Sequence, residues 1–349
     1  MSIDIYLIEA PFQLVSAVAT QKNNLDFSAW LFVRKSSSER NNTQLDVMLQ
    51  RDVFTLPWAK IVYLDGSSPF KLLLASIKLC AMLSLILFDV NKFSIGDFRS
   101  RFALSIVGKF RFKELCLLDD GVGSLGLYYE KDGELVASPI EESSNATMSC
   151  LAALKSKVDA KWNRPELILS TFLTLPESTH WIVKKTDLSF VFDQFRIASQ
   201  TIDDSLVYIV GSKVVESGVV DAKIYDIFCK NVRLSQPTAN IIYIAHREES
   251  EEKISHYEKD LGFNISRPKM PLEFLLCSID ILPSSVISLY SAALFTTRLI
   301  EPKLNVVSYV LAATDIPPKF LKPIKACYCY LEADKEVTMK SLTENINEG

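Results

Sequence analysis

Short, β-branched apolar runs recur along this chain, and helical spacing follows most of them. Ile3-Asp4-Ile5-Tyr6-Leu7-Ile8 comes first, with the composition of a buried strand. It runs into Glu9-Ala10-Pro11, where Pro11 suits the first position of a helix, and Leu14, Val15, Val18 and Ala19 continue at helical spacing. Trp30 to Val33, Ile61 to Leu64, Phe93 to Ile95 and Leu115 to Leu118 repeat the strand pattern. Such alternation predicts an α/β domain with a mainly parallel sheet.

A second series follows a less regular middle. Between residues 140 and 200, Ser143 to Thr147 reads as a loop and Trp181 to Val183 as a strand, and Ser199 to Ser205 is polar enough for a linker. Then come a strand from Leu206 to Val210 ending at Gly211, a helix from Asp221 to Lys230, and a strand from Ile241 to Ala245. His246 and an acidic helix from Glu249 to Leu261 come next. A helix near Pro271, a strand from Val286 to Tyr290, a helix from Ser291 and a closing strand from Val306 to Val310 complete the series. With 349 residues, the chain is long enough for two such domains, divided here as 1–200 and 201–349. Ligands in doubly wound sheets bind beyond the carboxyl ends of the strands.

Composition removes several classes of function. Apolar residues make up 48% and charged residues 23%, a globular balance. A net charge of −4 without a basic run argues against a nucleic-acid groove. The seven cysteines are dispersed, and Cys327-x-Cys329 lacks zinc-site spacing, so reduced thiols in a cytoplasmic protein and no metal centre are expected. Met1-Ser2-Ile3-Asp4 lacks a basic n-region and a cleavable apolar stretch, so no signal peptide is expected. Lys71 to Phe88 is barely long enough to span a bilayer, and Lys78 at its centre would cost about 3 kcal/mol there. A buried helix is the expectation for it. Lys319, Lys322 and Lys325 form either a solvated surface or a peripheral contact with the inner membrane.

Three places carry chemistry. Asp119-Asp120-Gly121-Val122-Gly123 follows an apolar strand, and glycines allow a tight turn there. Two acids at such a rim serve as a general base, or alternatively bond their own backbone in a turn. His246 ends a strand facing the ligand side, where its titration range suits proton donation or contact with phosphate; a structural histidine is the other reading. Ser291 is placed to cap a helix after a strand, and hydroxyl-bearing helix N-termini bind phosphates, although it also reads as a cap and nothing more. Ser284-Ser285 falls in the turn before that strand.

In their order, these segments resemble the bacterial sialyltransferases, above all the lipooligosaccharide sialyltransferase family (glycosyltransferase family 52) and its polysialyltransferase relatives. Asp119-Asp120-Gly121 matches the acidic-acidic-Gly motif in full. His246-Arg247 matches a His-Pro motif at the histidine, and Ser291-Ala292 matches a Ser-Ser/Thr motif at its first serine. Ala10 to Leu14, Ile95 to Phe98 and Pro271-x-Glu273 also look like family segments, and together the likeness spans residues 3 to about 310.

The resemblance implies a GT-B-like architecture, two doubly wound Rossmann-like domains facing a central cleft. It also implies an inverting, metal-independent transfer of a sialic acid or related nonulosonate from a CMP donor to a galactoside-type acceptor, in lipooligosaccharide or capsule synthesis. On that basis Asp119 or Asp120 is the base and His246 assists the leaving phosphate. Gly121, Gly211, Glu273, Ser288 and Ser291 hold the donor, with Glu273 on its ribose. Gln13 and Asp97 lie on the acceptor side. No cofactor is implied beyond the donor substrate. The rival expectations are a GT-B enzyme using a UDP- or GDP-sugar, and an inactive nucleotide-binding assembly protein.

Overall fold

The computed structural model describes residues 2–22, 27–84, 89–139, 149–156 and 165–342. The loop expected at Ser143 to Thr147 lies outside the described residues. The chain divides into two compact units. The first comprises Met1–Tyr129 and Leu135–Gln194; the second comprises Glu130–Glu134 and Phe195–Gly349.

In the first unit the described strands are β1 (Ser2–Ile8), β2 (Ser28–Lys35), β3 (Lys60–Asp65), β4 (Asp89–Ile95), β5 (Glu114–Leu118), β8 (Glu166–Thr171) and β9 (Ile182–Lys185). They form one sheet in the order β3-β2-β1-β4-β5-β8-β9, with parallel neighbours throughout. Among the described residues its helices include α1 (Pro11–Lys22), α2 (Glu39–Met48), α3 (Asp52–Thr55), α4 (Pro69–Ser84), α5 (Arg101–Val107) and α6 (Ser189–Asp193). β1 is apolar along its length because both faces are covered, as a central parallel strand requires. The exception is Asp4, fully buried and neutralised by Lys92 at 3.2 Å on β4. Between β5 and β8, β6 (Tyr128–Lys131) and β7 (Glu134–Ala137) pair as a ribbon. Asp132 and Gly133 join them, both at positive φ (53° and 84°).

The second unit repeats the plan with β10 (Thr201–Val210), β11 (Asn240–Ile244), β12 (Asn264–Ser266), β13 (Ile281–Ser288), β14 (Asn305–Val310) and β15 (Val337–Ser341). Their order is β12-β11-β10-β13-β14-β15, again all parallel. The helices are α7 (Ala222–Ser235), α8 (Glu251–Asp260), α9 (Leu272–Ser278), α10 (Ala292–Ile300) and α11 (Pro318–Ala333). Each sheet reverses its strand order once, between β1 and β4 and between β10 and β13. Both units are therefore doubly wound α/β folds, as the alternation of the sequence predicts.

Several boundaries differ from the sequence reading. Ser199 to Ser205 is not a linker: β10 starts at Thr201, which pairs with Ile281. The polar residues of that stretch sit where the β10–β13 register shifts, between Asp203 and Val207. Pro283 stands opposite Asp203, at an irregularity where a missing ladder donor is tolerated. β13 accordingly starts at Ile281, and Ser284-Ser285 lies inside the strand rather than in a turn before it, with the Ser284 hydroxyl donating to Leu206 O at 3.0 Å. The acidic helix starts at Glu251, because Ser250 caps it and Glu249 turns inward. The helix read from Asp221 to Lys230 runs on to Ser235, and β15 follows the strand expected to close the series.

The helix expected to be buried at Lys71 to Phe88 runs as α4 from Pro69 to Ser84, with 85–88 outside the described residues. Only Ala75, Leu79 and Leu83, one stripe at fourfold spacing, are buried. Among the described residues no helix is long and apolar enough to cross a membrane.

Candidate functional site

In the first unit the polar residues collect at the carboxyl ends of β1, β4, β5 and β8. After β5 the chain turns at Gly121, whose φ of 67° favours glycine. Asp119 is 1% exposed. The Ser124 hydroxyl donates to its Oδ1, and the Phe172 amide donates to Oδ2 at 2.7 Å. Its own amide donates to Ser16 Oγ at 3.0 Å, tying the turn to α1. Burial raises its pKa to about 6, against the opposing hydrogen bonds from Ser124, Thr171 and Phe172; the neighbouring Asp120 charge adds to the rise.

Asp120 has the opposite setting. Its side chain is 24% exposed, and it accepts from Gln13 Nε2 at 3.0 Å and from Arg99 at 3.2 Å. Gln13 is held in turn by the Glu9 amide, which donates to its Oε1 at 2.7 Å. Gly96 must be glycine for this arrangement, since a Cβ there would collide with the Gln13 side chain. Asp97 accepts from the Arg99 amide at 2.8 Å and from its Nε at 2.9 Å, which fixes the guanidinium between the two acids. Gln13, Asp97, Asp119, Asp120 and Gly121 are thus gathered into one cluster at the β1/β4 switch point and the adjoining β5 end. The sequence reading missed Arg99. It also missed the edge-to-face pair of half-buried rings, Phe12 and Phe172, at the same strand ends (centroids 5.8 Å apart).

The second unit has its own cluster, at the ends of β11, β10 and β13. His246 follows β11, and its amide donates to Glu249 Oε2 at 2.6 Å. Glu249 is held by the Tyr243 hydroxyl at 2.5 Å and by Lys253 at 2.8 Å. Gly211 has to lack a side chain, because a Cβ would strike the Glu249 carboxylate and stand 2.9 Å from Ile244 O and Tyr243. Glu249 was another residue the sequence reading overlooked; an acid three residues after His246 was the available signal.

His246 does not titrate where its residue type suggests. Burial, followed by the Arg247, Lys213 and Lys253 charges, pushes its pKa down to about 3 despite the nearby Glu248. At neutral pH the ring is uncharged. Its Nδ1 accepts from the Glu248 amide at 3.1 Å, so the proton of the neutral ring sits on Nε2. The site offers a neutral N–H donor.

The remaining residues take distinct places. Ser288 is 1% exposed and donates to Val210 O at 3.0 Å, joining β13 to β10. Ser291 caps α10, its Oγ accepting from the Ala293 amide at 3.2 Å. Glu273 is in the first turn of α9, 7% exposed, and accepts from Thr296 Oγ1 at 2.7 Å. Burial raises its pKa, against the Thr296 hydrogen bond and the Arg247 charge. His256 lies apart, in α8 between Asp226 and Asp260. Among the described residues no three His, Cys, Asp or Glu side chains group as metal ligands would.

No family model matches the chain. No curated protein matches it by sequence. Solved structures do resemble it over nearly its whole length. An α/β-galactoside α-2,3-sialyltransferase from Photobacterium phosphoreum aligns with a TM-score of 0.50 at 11% identity, covering 97% of this chain and 98% of that one. A UDP-GlcNAc 2-epimerase from Methanocaldococcus jannaschii, solved with UDP-GlcNAc and UDP, aligns with a TM-score of 0.57 at 9% identity, covering 98% and 89%. S. aureus MnaA in complex with UDP aligns with a TM-score of 0.50 at 9% identity, covering 96% and 89%. At these identities the likeness establishes the fold: two doubly wound α/β units in one chain, of GT-B type.

Proposed function

We propose that this chain is an inverting glycosyltransferase that moves a sialic acid, or a related nonulosonate, from a CMP donor to a galactoside-type acceptor of lipooligosaccharide or capsule. The observation that carries this reading is the acidic turn after β5, where one carboxyl is buried and titrates at about 6 while its neighbour stays open to solvent. Pairs of acids whose surroundings differ in this way divide the work of proton transfer between them. Asp120 is the member that an acceptor hydroxyl reaches. Asp119 anchors the turn, and its own carboxyl, raised to about 6 by burial, is the one poised near neutral pH. Gln13 and Arg99, the latter fixed by Asp97, orient Asp120, and the three bind the acceptor.

In the reaction the acceptor oxygen bonds to the anomeric carbon as its proton passes to the acidic pair. The bond from that carbon to the CMP phosphate breaks, and the oxygen leaves with the electron pair. His246 Nε2–H donates a hydrogen bond to that oxygen, the kind of preorganised donor that stabilises developing charge. Glu273 accepts from the donor ribose. In the second unit Ser291 and the backbone at Gly211 and Ser288 line the phosphate, and in the first unit Gly121 shapes the turn that carries the acids. The sialyltransferase likeness and the matched Asp119-Asp120-Gly121 and His246 segments support CMP as the nucleotide.

The epimerase likeness, at a TM-score of 0.57, favours a second reading in which a UDP-sugar is the donor. Thermal unfolding with CMP, UDP and GDP at equal concentration separates the two. We expect CMP to raise the melting temperature while the others leave it unchanged. Protection by UDP or GDP without CMP would move the assignment to the second reading.

A further inference from the structure

We propose that α4 docks on an anionic lipid surface, lying in the plane of the interface. Phe70, Leu73, Leu74 and Ile77 are 69%, 58%, 48% and 58% exposed. Their spacing puts them on one face of α4, opposite the Ala75, Leu79 and Leu83 stripe that packs into the core. A helix with one apolar face in the core and another in solvent is an unusual surface for a water-exposed position.

Charge identifies the occupant. α4 contains Lys71 and Lys78 and no acidic residue. Both amines lie on the β3 side of the apolar stripe, where Lys71 meets Asp65 at 2.9 Å and Lys78 donates to Tyr63 O at 3.0 Å. The Lys71–Asp65 pair is exposed on both sides and holds the lysine only loosely. On the opposite flank Lys109, also exposed, reaches Cys80 Sγ at 3.6 Å. Lysines on both sides of an apolar stripe can extend to lipid phosphates while the stripe enters the acyl boundary.

A second copy of the chain fits less well. The four side chains leave on the order of 400 Å² open, against about 800 Å² per partner in a stable protein interface. A two-fold mate would also set these lysines against one another. This surface differs from the Lys319, Lys322 and Lys325 cluster of α11, and it does not depend on the reaction proposed above.

Flotation of the full chain with vesicles tests it, using phosphatidylcholine alone and phosphatidylcholine mixed with phosphatidylglycerol. The wild type should float with the anionic vesicles and much less with the neutral ones. Leu73→Gln/Ile77→Gln, at exposed positions, should keep the melting temperature and lose about tenfold or more in partitioning. Lys71→Gln/Lys78→Gln should lose severalfold. The proposal is overturned if the wild type stays unbound or binds both vesicle types equally, or if the apolar double variant floats like wild type. It is also overturned if the wild type sediments as a dimer that the same variant splits.

Discussion

Asp119 loses water on every side while accepting hydrogen bonds from Ser124 and Phe172, and the loss of water outweighs them, leaving its carboxyl at about 6. A folded-state value above the unfolded 3.8 means that the protonated form favours folding. That stabilisation is present below pH 3.8 and has gone once the pH rises past about 6. The fold thus holds a carboxylate at neutral pH that its surroundings resist, which is expected of a residue kept for chemistry. If the pair is the base, kcat/KM rises through a limb centred near pH 6 and levels above it. Asp120→Asn should lower kcat by about 10²–10⁴ and Asp119→Asn by a similar factor. A flat profile from pH 5 to 8 with near-normal Asp120→Asn turnover removes the pair from the mechanism. For His246, with a neutral ring and Nε2 as donor, the Ala variant should lose about 10²-fold or more with an unchanged circular dichroism spectrum. His246→Gln, which keeps an amide donor, should recover part of that. The acids and the histidine were legible in the sequence as residue types at strand ends. Their pKa values were not, because those depend on burial and, for the ring, on the adjacent Arg247 and on Lys213 and Lys253, which only the fold brings beside it.

At the scale of elements, covered strands announced themselves and edges did not. β1, β5, β11 and residues 206–210 of β10 are apolar runs because sheet neighbours and helices cover them. β12 and β15 lie at the two edges of their sheet, and in Val337–Ser341 only Val337 is buried, so no apolar run marks it. The β6–β7 ribbon was readable and was overlooked: Asp132-Gly133 between alternating segments is a strong hairpin signal. Pro283 is tolerated inside β13 because the β10–β13 register shifts where it stands opposite Asp203. Ser291 was expected to begin a helix and does so by capping α10. Ser291→Ala should cost about 1 kcal/mol in denaturant unfolding with no change in fold. A loss within error would mean that the cap contributes nothing to α10, and the hydroxyl's value would then lie in ligand contact alone.

For the whole molecule, two rounds of strand and helix in 349 residues were enough to predict two doubly wound units, and each unit has that topology. Parallel sheets leave few alternatives, since every crossover must return a helix to the sheet face and every ligand-side loop then emerges at the carboxyl ends. That is why scattered motifs could be assigned to strand ends before the fold was known. Donor chemistry was less accessible, because Arg247 and Ala292 replace the residues by which the resembling family is usually recognised. The decisive measurement is turnover itself: purified protein, CMP-sialic acid and a lactoside acceptor in EDTA, followed by mass spectrometry for product and by CMP release. The account predicts a sialylated lactoside formed in step with CMP, at a rate that falls when Asp120 is replaced. Product from a UDP- or GDP-sugar instead, or binding of CMP with no turnover of any CMP-nonulosonate, would contradict it.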